Sequence, residues 1–384
     1  MELNKDNLLL LILFGLPCLL VIYKVFLTGP ILTNDSYEYI GWSKALIENS
    51  SNISSKYESY ELVQPQIFYI FNTLIFSWFI SFSPENWITY FLLFNCLSVS
   101  VIFLNLYIFS KKFLTSKYVL FSVPIIFLCG DIFIWPSYIL LDTFYASIVI
   151  SLMNLFIFLY NKKIFVFLIF IFLVFLKPQS LAVGLGIFFI YFILMPKIFI
   201  FYTKFTAASL FLIVLIFASF FTLIFSDLVV NNIGSQSINL LKEFIDRGMI
   251  VKDRVDGYYL GNIDDISASI IFIRRFFSFF QPWVLDFSLM HNIMYMILNT
   301  SFCLAIFGYL FHNYFKINES IFKILSIIFL LILAGAIFHS FTFIDFDWRY
   351  RFPYVGPMTL FFGLILDQYL NYKKINKGLR STSY

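Results

Sequence analysis

The side chains of this chain that could carry chemistry are few, and they gather in short polar stretches between long apolar ones. Asp35 follows directly on the first apolar run, in LTNDSYEYIGWSKAL (32–46). Asp131 and Asp142 bracket GDIFIWPSYILLD (130–142), a short turn broken by Pro136. The basic candidates are Lys177 in FLKPQSLAV (175–183), Arg274 and Arg275 in IIFIRRFFSFFQPWVLD (270–286), and Arg349 and Arg351 in FIDFDWRYRFPYVGP (343–357). Acids at the mouth of a membrane bundle are costly to desolvate, so two of them from different loops at one depth point to a site. Guanidinium forks match phosphate oxygens, and a lysine at an apolar boundary suits an anionic ligand.

Each of these residues also has a purely structural reading. Asn34 or Asp35 would cap a helix carrying Tyr39, Ile40, Trp42, Ala45 and Leu46 at three- and four-residue spacing. Asp142 suits the positive end of a helix dipole, and Lys177 is placed to snorkel. Arg274 and Arg275, set among aromatics, fit lipid headgroups as well as a substrate phosphate. Asp345 and Asp347 are close enough in sequence to neutralise Arg349 and Arg351 in a structural network. The three histidines, His291, His312 and His339, form no H-x-x-x-H pair, and the chain has no nucleophile elbow or P-loop. His339 reads as a core residue. Cys18, Cys96, Cys129 and Cys303 all lie inside apolar runs without paired spacing, so neither a disulfide framework nor a zinc site is indicated. Nothing in the sequence supports a divalent metal or a nucleic-acid partner.

The elements that must position these residues are membrane helices. The chain has 384 residues, 61% hydrophobic and 12% charged, with a mean hydropathy of +0.88, far from soluble-domain composition. Apolar runs near 20 residues match a hydrocarbon core. Expected spans are 8–26, 87–109, 118–134, 142–160, 164–177, 181–196, 205–225, 290–311, 321–341 and 354–371, in a single transmembrane domain over 1–384. The first run has no small-residue cleavage site and reads as a span, not a removable signal. The run 67–83 is ambiguous. If it lies on the outer surface, both termini are cytoplasmic, and the cytoplasmic side carries fourteen Lys and Arg against four acids. The outer side then carries twelve against eighteen. If the run crosses, the lysines from Lys111 to Lys204 fall opposite Lys5, which the positive-inside rule disfavours. The sequence is therefore expected to fold as an all-α polytopic protein of about ten transmembrane helices with outer juxtamembrane helices. Its long polar segments 27–86, 226–289 and 342–353 then face outward as the active-site face.

Taken in order, NDSYEYIGWSKAL after the first span, QPQIFYIFNTLIFSWFI beside the membrane, YILLDTFYASI opening the fourth span, FLKPQS between the fifth and sixth, and RYRFPYVGP before a late span resemble membrane glycosyltransferases of the GT-C class. The likeness is to the dolichyl-phosphate-mannose and aminoarabinose transferase-like branch. Members often carry a second acid beside the first, whereas Ser36 follows Asp35 here, and the segment 226–289 has no counterpart.

The resemblance implies a plasma-membrane enzyme that moves a sugar from a polyprenyl-phosphate donor to a glycan, lipid or protein acceptor on the non-cytoplasmic side. Departure of a phosphate from an anomeric carbon builds positive charge on the ring and negative charge on the leaving oxygen. A carboxylate base and phosphate-binding cations follow from that. By analogy Asp35 is the base, Lys177, Arg349 and Arg351 hold the phosphate with Arg274 or Arg275, and Asp142, Asp131 and Tyr39 position acceptor or donor. With no obvious second nucleophile, inversion at the anomeric carbon is expected. The competing readings are a transporter or flippase of a lipid-linked or anionic substrate, a polysaccharide polymerase or ligase, and a non-catalytic envelope scaffold. Transport is disfavoured by the absence of an obvious internal repeat and by charges at one face, not at the midplane.

Overall fold

Backbone polar groups in hydrocarbon must be satisfied within the segment, so the apolar runs fold as helices. A computed structural model describes residues 5–47, 70–158, 276–281, 288–312, 317–341 and 351–381. Among the described residues the chain is all-helical, and the extended backbone is limited to one isolated bridge between Ile31 and Tyr138. Four described helices are long and apolar enough to cross a membrane, at Leu8–Thr28, Trp87–Phe113, Leu289–Leu310 and Glu319–Ile337, with a bent segment as a fifth. The expected spans 164–177, 181–196 and 205–225 lie outside the described residues. Packing divides the chain into two units, Met1–Gly184 with Phe352–Asn371, and Leu185–Arg351 with Tyr372–Tyr384.

In the first unit, α1 (Lys5–Thr28) ends at Gly29, whose φ of 70° lets its N–H turn back to the Val25 carbonyl at 2.9 Å. Then come α2 (Asn34–Ile47), α3 (Ile70–Phe82), α4 (Trp87–Phe113), α5 (Lys117–Leu128) and α6 (Asp142–Phe158). Side-chain contacts fix the helix directions. Phe14 meets Tyr107 and Cys18 meets Ser100, so α1 and α4 are antiparallel. Phe94 meets Phe144, Asn105 meets Ser151, and Phe113 meets Phe158, so α4 and α6 are parallel. The end of α1 and the start of α4 therefore lie at the same end of the unit, and the chain between them returns to the end it left. The described part of α3 is 13 residues, about 20 Å of helix.

The expected span 118–134 forms with a bend. α5 stops at Leu128 after 12 residues, and the chain bends by 55° into two 3-10 turns over Asp131–Ser137. At the bend Gly130 makes room for the Val355 side chain, into which a Cβ there would run, and Pro136, lacking an N–H, sits in the second 3-10 turn. α6 begins at Asp142, directly after the loop.

α9 (Phe352–Ser381) enters the first unit at Phe352, and its first half is buried on nearly every side. It runs antiparallel to α5, with Val355 beside Gly130 and Gly363 placed so that an added Cβ would sit 2.9 Å from Val123 Cγ2. Lower down, the buried Asp367 carboxylate accepts from the Ser116 N–H at 2.7 Å, the Thr115 N–H at 3.1 Å and the Thr115 hydroxyl at 3.0 Å. Asn371 donates to the same carboxylate at 3.2 Å and to Thr115 Oγ1 at 3.0 Å. Asp367 thus caps α5 from another helix, where Ser116 makes no side-chain cap bond of its own.

In the second unit, α7 (Leu289–Leu310) and α8 (Glu319–Phe341) pack through Tyr309. Its ring stacks on Phe322 at 5.1 Å and its hydroxyl meets Ser326 Oγ at 2.8 Å. His312 lies 4.3 Å from the Phe322 ring. The Lys323–Glu319 pair is half-exposed and adds little.

Asp367→Ala strands the buried Thr115 and Ser116 donors, so a loss of about 2–4 kcal/mol is expected. Thermal unfolding in detergent micelles checks this, with Asp367→Asn, which keeps one acceptor, losing less.

Candidate functional site

The bridge between Ile31 and Tyr138 brings two acids into one neighbourhood. The Ile31 N–H donates to the Ser137 carbonyl at 2.8 Å, and the Ile139 N–H donates to the Ile31 carbonyl at 2.9 Å. The pairing is parallel. Each strand runs straight into a helix, and the acid four residues beyond the bridge falls in that helix's first turn, Asp35 in α2 and Asp142 in α6.

The bent loop is held from two further helices. Asn95, buried in the apolar middle of α4, donates to the Pro136 carbonyl at 3.2 Å and the Tyr138 carbonyl at 2.9 Å. Lys24 of α1 donates to the Phe133 carbonyl. Within the loop, the N–H groups of Ile134, Ser137 and Tyr138 close 3-10 bonds onto Asp131, Ile134 and Trp135. The loop is therefore largely buried. Asp131 is 2% exposed and Asp142 is 1% exposed.

Asn34 and Asp35, the expected caps of α2, lie inside the helix. Thr33 is the cap, since its carbonyl accepts the first helical N–H, from Tyr37, at 3.1 Å. Ser36 Oγ accepts from the Thr33 N–H at 3.1 Å, and the Ser36 N–H reaches Thr33 Oγ1 at 3.4 Å. This is a capping box built from two hydroxyls. It gives Ser36, fully buried, a structural reason to stand where the resembling family carries an acid. Asp35 is left half-exposed one position before it.

A second carboxylate does lie on α2, one turn further on. Partial burial pushes the Glu38 carboxyl above its ordinary range, and the Asp35 charge beside it raises it further. Its signal in the sequence was the three-residue spacing from Asp35, which places both on one helix face. Lys24 and Asn95 carried a weaker signal, as a lone cation and a lone amide in apolar runs. What they hold depends on a loop that starts far away in sequence.

Tyr39 is buried, with its ring 5.6 Å from Trp42 and 5.6 Å from Phe76. From Phe76 the aromatic contacts continue to Phe91 at 4.6 Å, and from Phe94 to Phe144 at 4.8 Å, two residues past Asp142. Serine bonds add to this packing, with Ser43 Oγ donating to the Thr73 carbonyl at 3.0 Å. The Asp35 helix is thereby tied through α3 and α4 towards the start of α6.

Of the basic candidates, Lys177, Arg274, Arg275 and Arg349 lie outside the described residues. Arg351 belongs to the second unit and is 1% exposed. Its Nη1 donates to the carbonyls of Phe279 at 3.1 Å and Gln281 at 3.2 Å and to Asn299 Oδ1 at 3.5 Å, and its guanidinium carbon lies 4.4 Å from the centroid of the Tyr295 ring. Asn299 also donates to Gln281 at 2.9 Å. Arg351 therefore fastens the turn 276–281, which follows Arg274 and Arg275 in the chain, onto α7. His339 packs on Phe279 and meets Ser278 Oγ at 3.3 Å, a core placement as its sequence context suggests. Among the described residues no group of three or more His, Cys, Asp or Glu is placed to hold a metal.

Because its folded pKa is raised, Glu38 adds most to stability when protonated, and that contribution fades as pH rises from its ordinary value near 4.5 through the higher folded value. Glu38→Gln should therefore unfold at higher temperature than the native chain at neutral pH and match it near pH 4. Asn95→Ala should lower stability by about 1–3 kcal/mol, and faster proteolysis of the loop 129–141 is the accompanying readout. Compared with family models, curated proteins and solved structures, the chain matches none.

Proposed function

We propose that the chain is a membrane glycosyltransferase of GT-C type, moving a sugar from a polyprenyl-phosphate donor to a glycan, lipid or protein acceptor. The observation that carries the reading is the paired start of α2 and α6, which sets Asp35 and Asp142 in the first turns of two helices leaving one bridge. Helix direction adds support. Asp35, Asp131 and Asp142 fall at one end of the first unit, and Lys111, Lys112 and Lys117 fall at the other. With the lysine end cytoplasmic, the acids face outward, both termini are cytoplasmic, and the full chain has ten spans in the plasma membrane.

Asp35 takes the proton of the acceptor hydroxyl as that oxygen attacks the anomeric carbon. The anomeric bond to the phosphate breaks on the opposite face, and the configuration inverts. Capping by Thr33 and Ser36 holds the first turn of α2, which carries Asp35. Glu38 keeps a second negative charge nearby, and Asp142, buried, orients the acceptor or a cation. Lys177 and Arg349, with Arg274 or Arg275, hold the departing phosphate, and Arg351 contributes by fixing the turn that follows Arg274 and Arg275.

The test is transfer of labelled sugar from polyprenyl monophosphate donors in membranes holding the native chain or Asp35→Asn. A loss of about 10²–10⁴-fold is expected for removal of a general base. Full activity in the variant would take Asp35 out of the mechanism. No transfer from any such donor would favour transport or assembly of lipid-linked glycans.

A further inference from the structure

At the end of the first unit away from the acids, Lys111 and Lys112 close α4. Both are exposed, and among the described residues neither faces a carboxylate. Their partners are rings instead. Lys112 Nζ lies 4.5 Å from the centroid of Phe158 and 5.9 Å from that of Phe113, and Lys111 Nζ lies 5.7 Å from that of Tyr107. Lys117 follows at the start of α5, beside Tyr118, which is 81% exposed.

The support beneath these lysines is rigid. The Asp367 carboxylate spends its acceptors on the Thr115 and Ser116 amides and the Thr115 hydroxyl, so it fixes the α4–α5 turn while the two lysines keep their charge for another partner. Below them, Leu104 and Ile108 of α4 and Phe121 and Ile125 of α5 are exposed apolar side chains. Cations over aromatic rings, above exposed aliphatic side chains at the end of a span, match the layering of a phospholipid, with phosphate above and acyl chain below.

We infer that the α4–α5 turn is a binding surface for an anionic phospholipid headgroup, held by Lys111 and Lys112 with its acyl chains along α4 and α5. A soluble phosphate ester offers the same charge but nothing for the aliphatic side chains, so the lipid is the partner. The assignment stands apart from sugar transfer, since it uses none of the residues given to that reaction.

The test uses the purified full chain in detergent titrated with phosphatidylglycerol, phosphatidylcholine or glycerol 3-phosphate, followed by native mass spectrometry and thermal unfolding. Phosphatidylglycerol should bind and raise the unfolding temperature, whereas the other two should do neither. Lys111→Gln and Lys112→Gln should each weaken phosphatidylglycerol binding by about fivefold, and the Lys111→Arg, Lys112→Arg double variant should retain it. Unchanged phosphatidylglycerol binding in both Gln variants, or equal stabilisation by glycerol 3-phosphate, would overturn the assignment. If a Gln variant is too unstable to purify, the Arg double variant still decides, since retained phosphatidylglycerol binding supports a charge-based site and its loss overturns it.

Discussion

Non-helical backbone inside an apolar bundle must have every polar group satisfied by protein, and the loop 129–141 is where this chain meets that demand. Three 3-10 bonds close within the loop, and Asn95, Lys24 and Ile31 add bonds from three other segments. If any of these were absent, buried carbonyls and amides would be left without partners, at a cost comparable to a sizeable part of a domain's net stability. The same bonds fix where α2 and α6 begin. The placement of Asp35 and Asp142 is thus a by-product of keeping a broken helix dry.

Two helix starts in this unit are capped in different ways for the same physical reason. A helix start presents free N–H groups and a positive dipole end. At α5 these are satisfied by Asp367, which is buried and comes from far along the chain. At α2 they are met by Thr33 and Ser36, within the first turn itself. A carboxylate bound to several backbone amides is held for structure.

Aromatic packing couples the candidate site to the rest of the unit. Tyr39, Phe76, Phe91, Phe94 and Phe144 bring α2, α3, α4 and α6 together without a polar bond among them. Rings suit this task in a membrane, where dispersion and shape must replace the hydrophobic effect between helices. Where polar bonds do cross between helices, as from Asn105 to Ser151 at 2.9 Å and from Asn154 to Asn105 at 2.9 Å, they lie deeper and set the register of α4 against α6.

Hydropathy and charge alone determined that the chain is helical and built for a membrane, because a segment in hydrocarbon has few other ways to bond its backbone. They also located most of the described helices to within a few residues, and the lysine bias separated Lys111, Lys112 and Lys117 from the acids before any contact was known. Thr33, Asn34, Asp35 and Ser36 are all competent caps in sequence, and only the folded helix start selects Thr33 among them. The break after Leu128 is not legible in IIFLCGDIFIW, which is apolar enough to cross, and the side chain packed against Gly130 comes from Val355, more than two hundred residues away. Contacts of that range, like those from Asn95 and Asp367, depend on which helices become neighbours, and the periodicity of one helix carries no record of its partners.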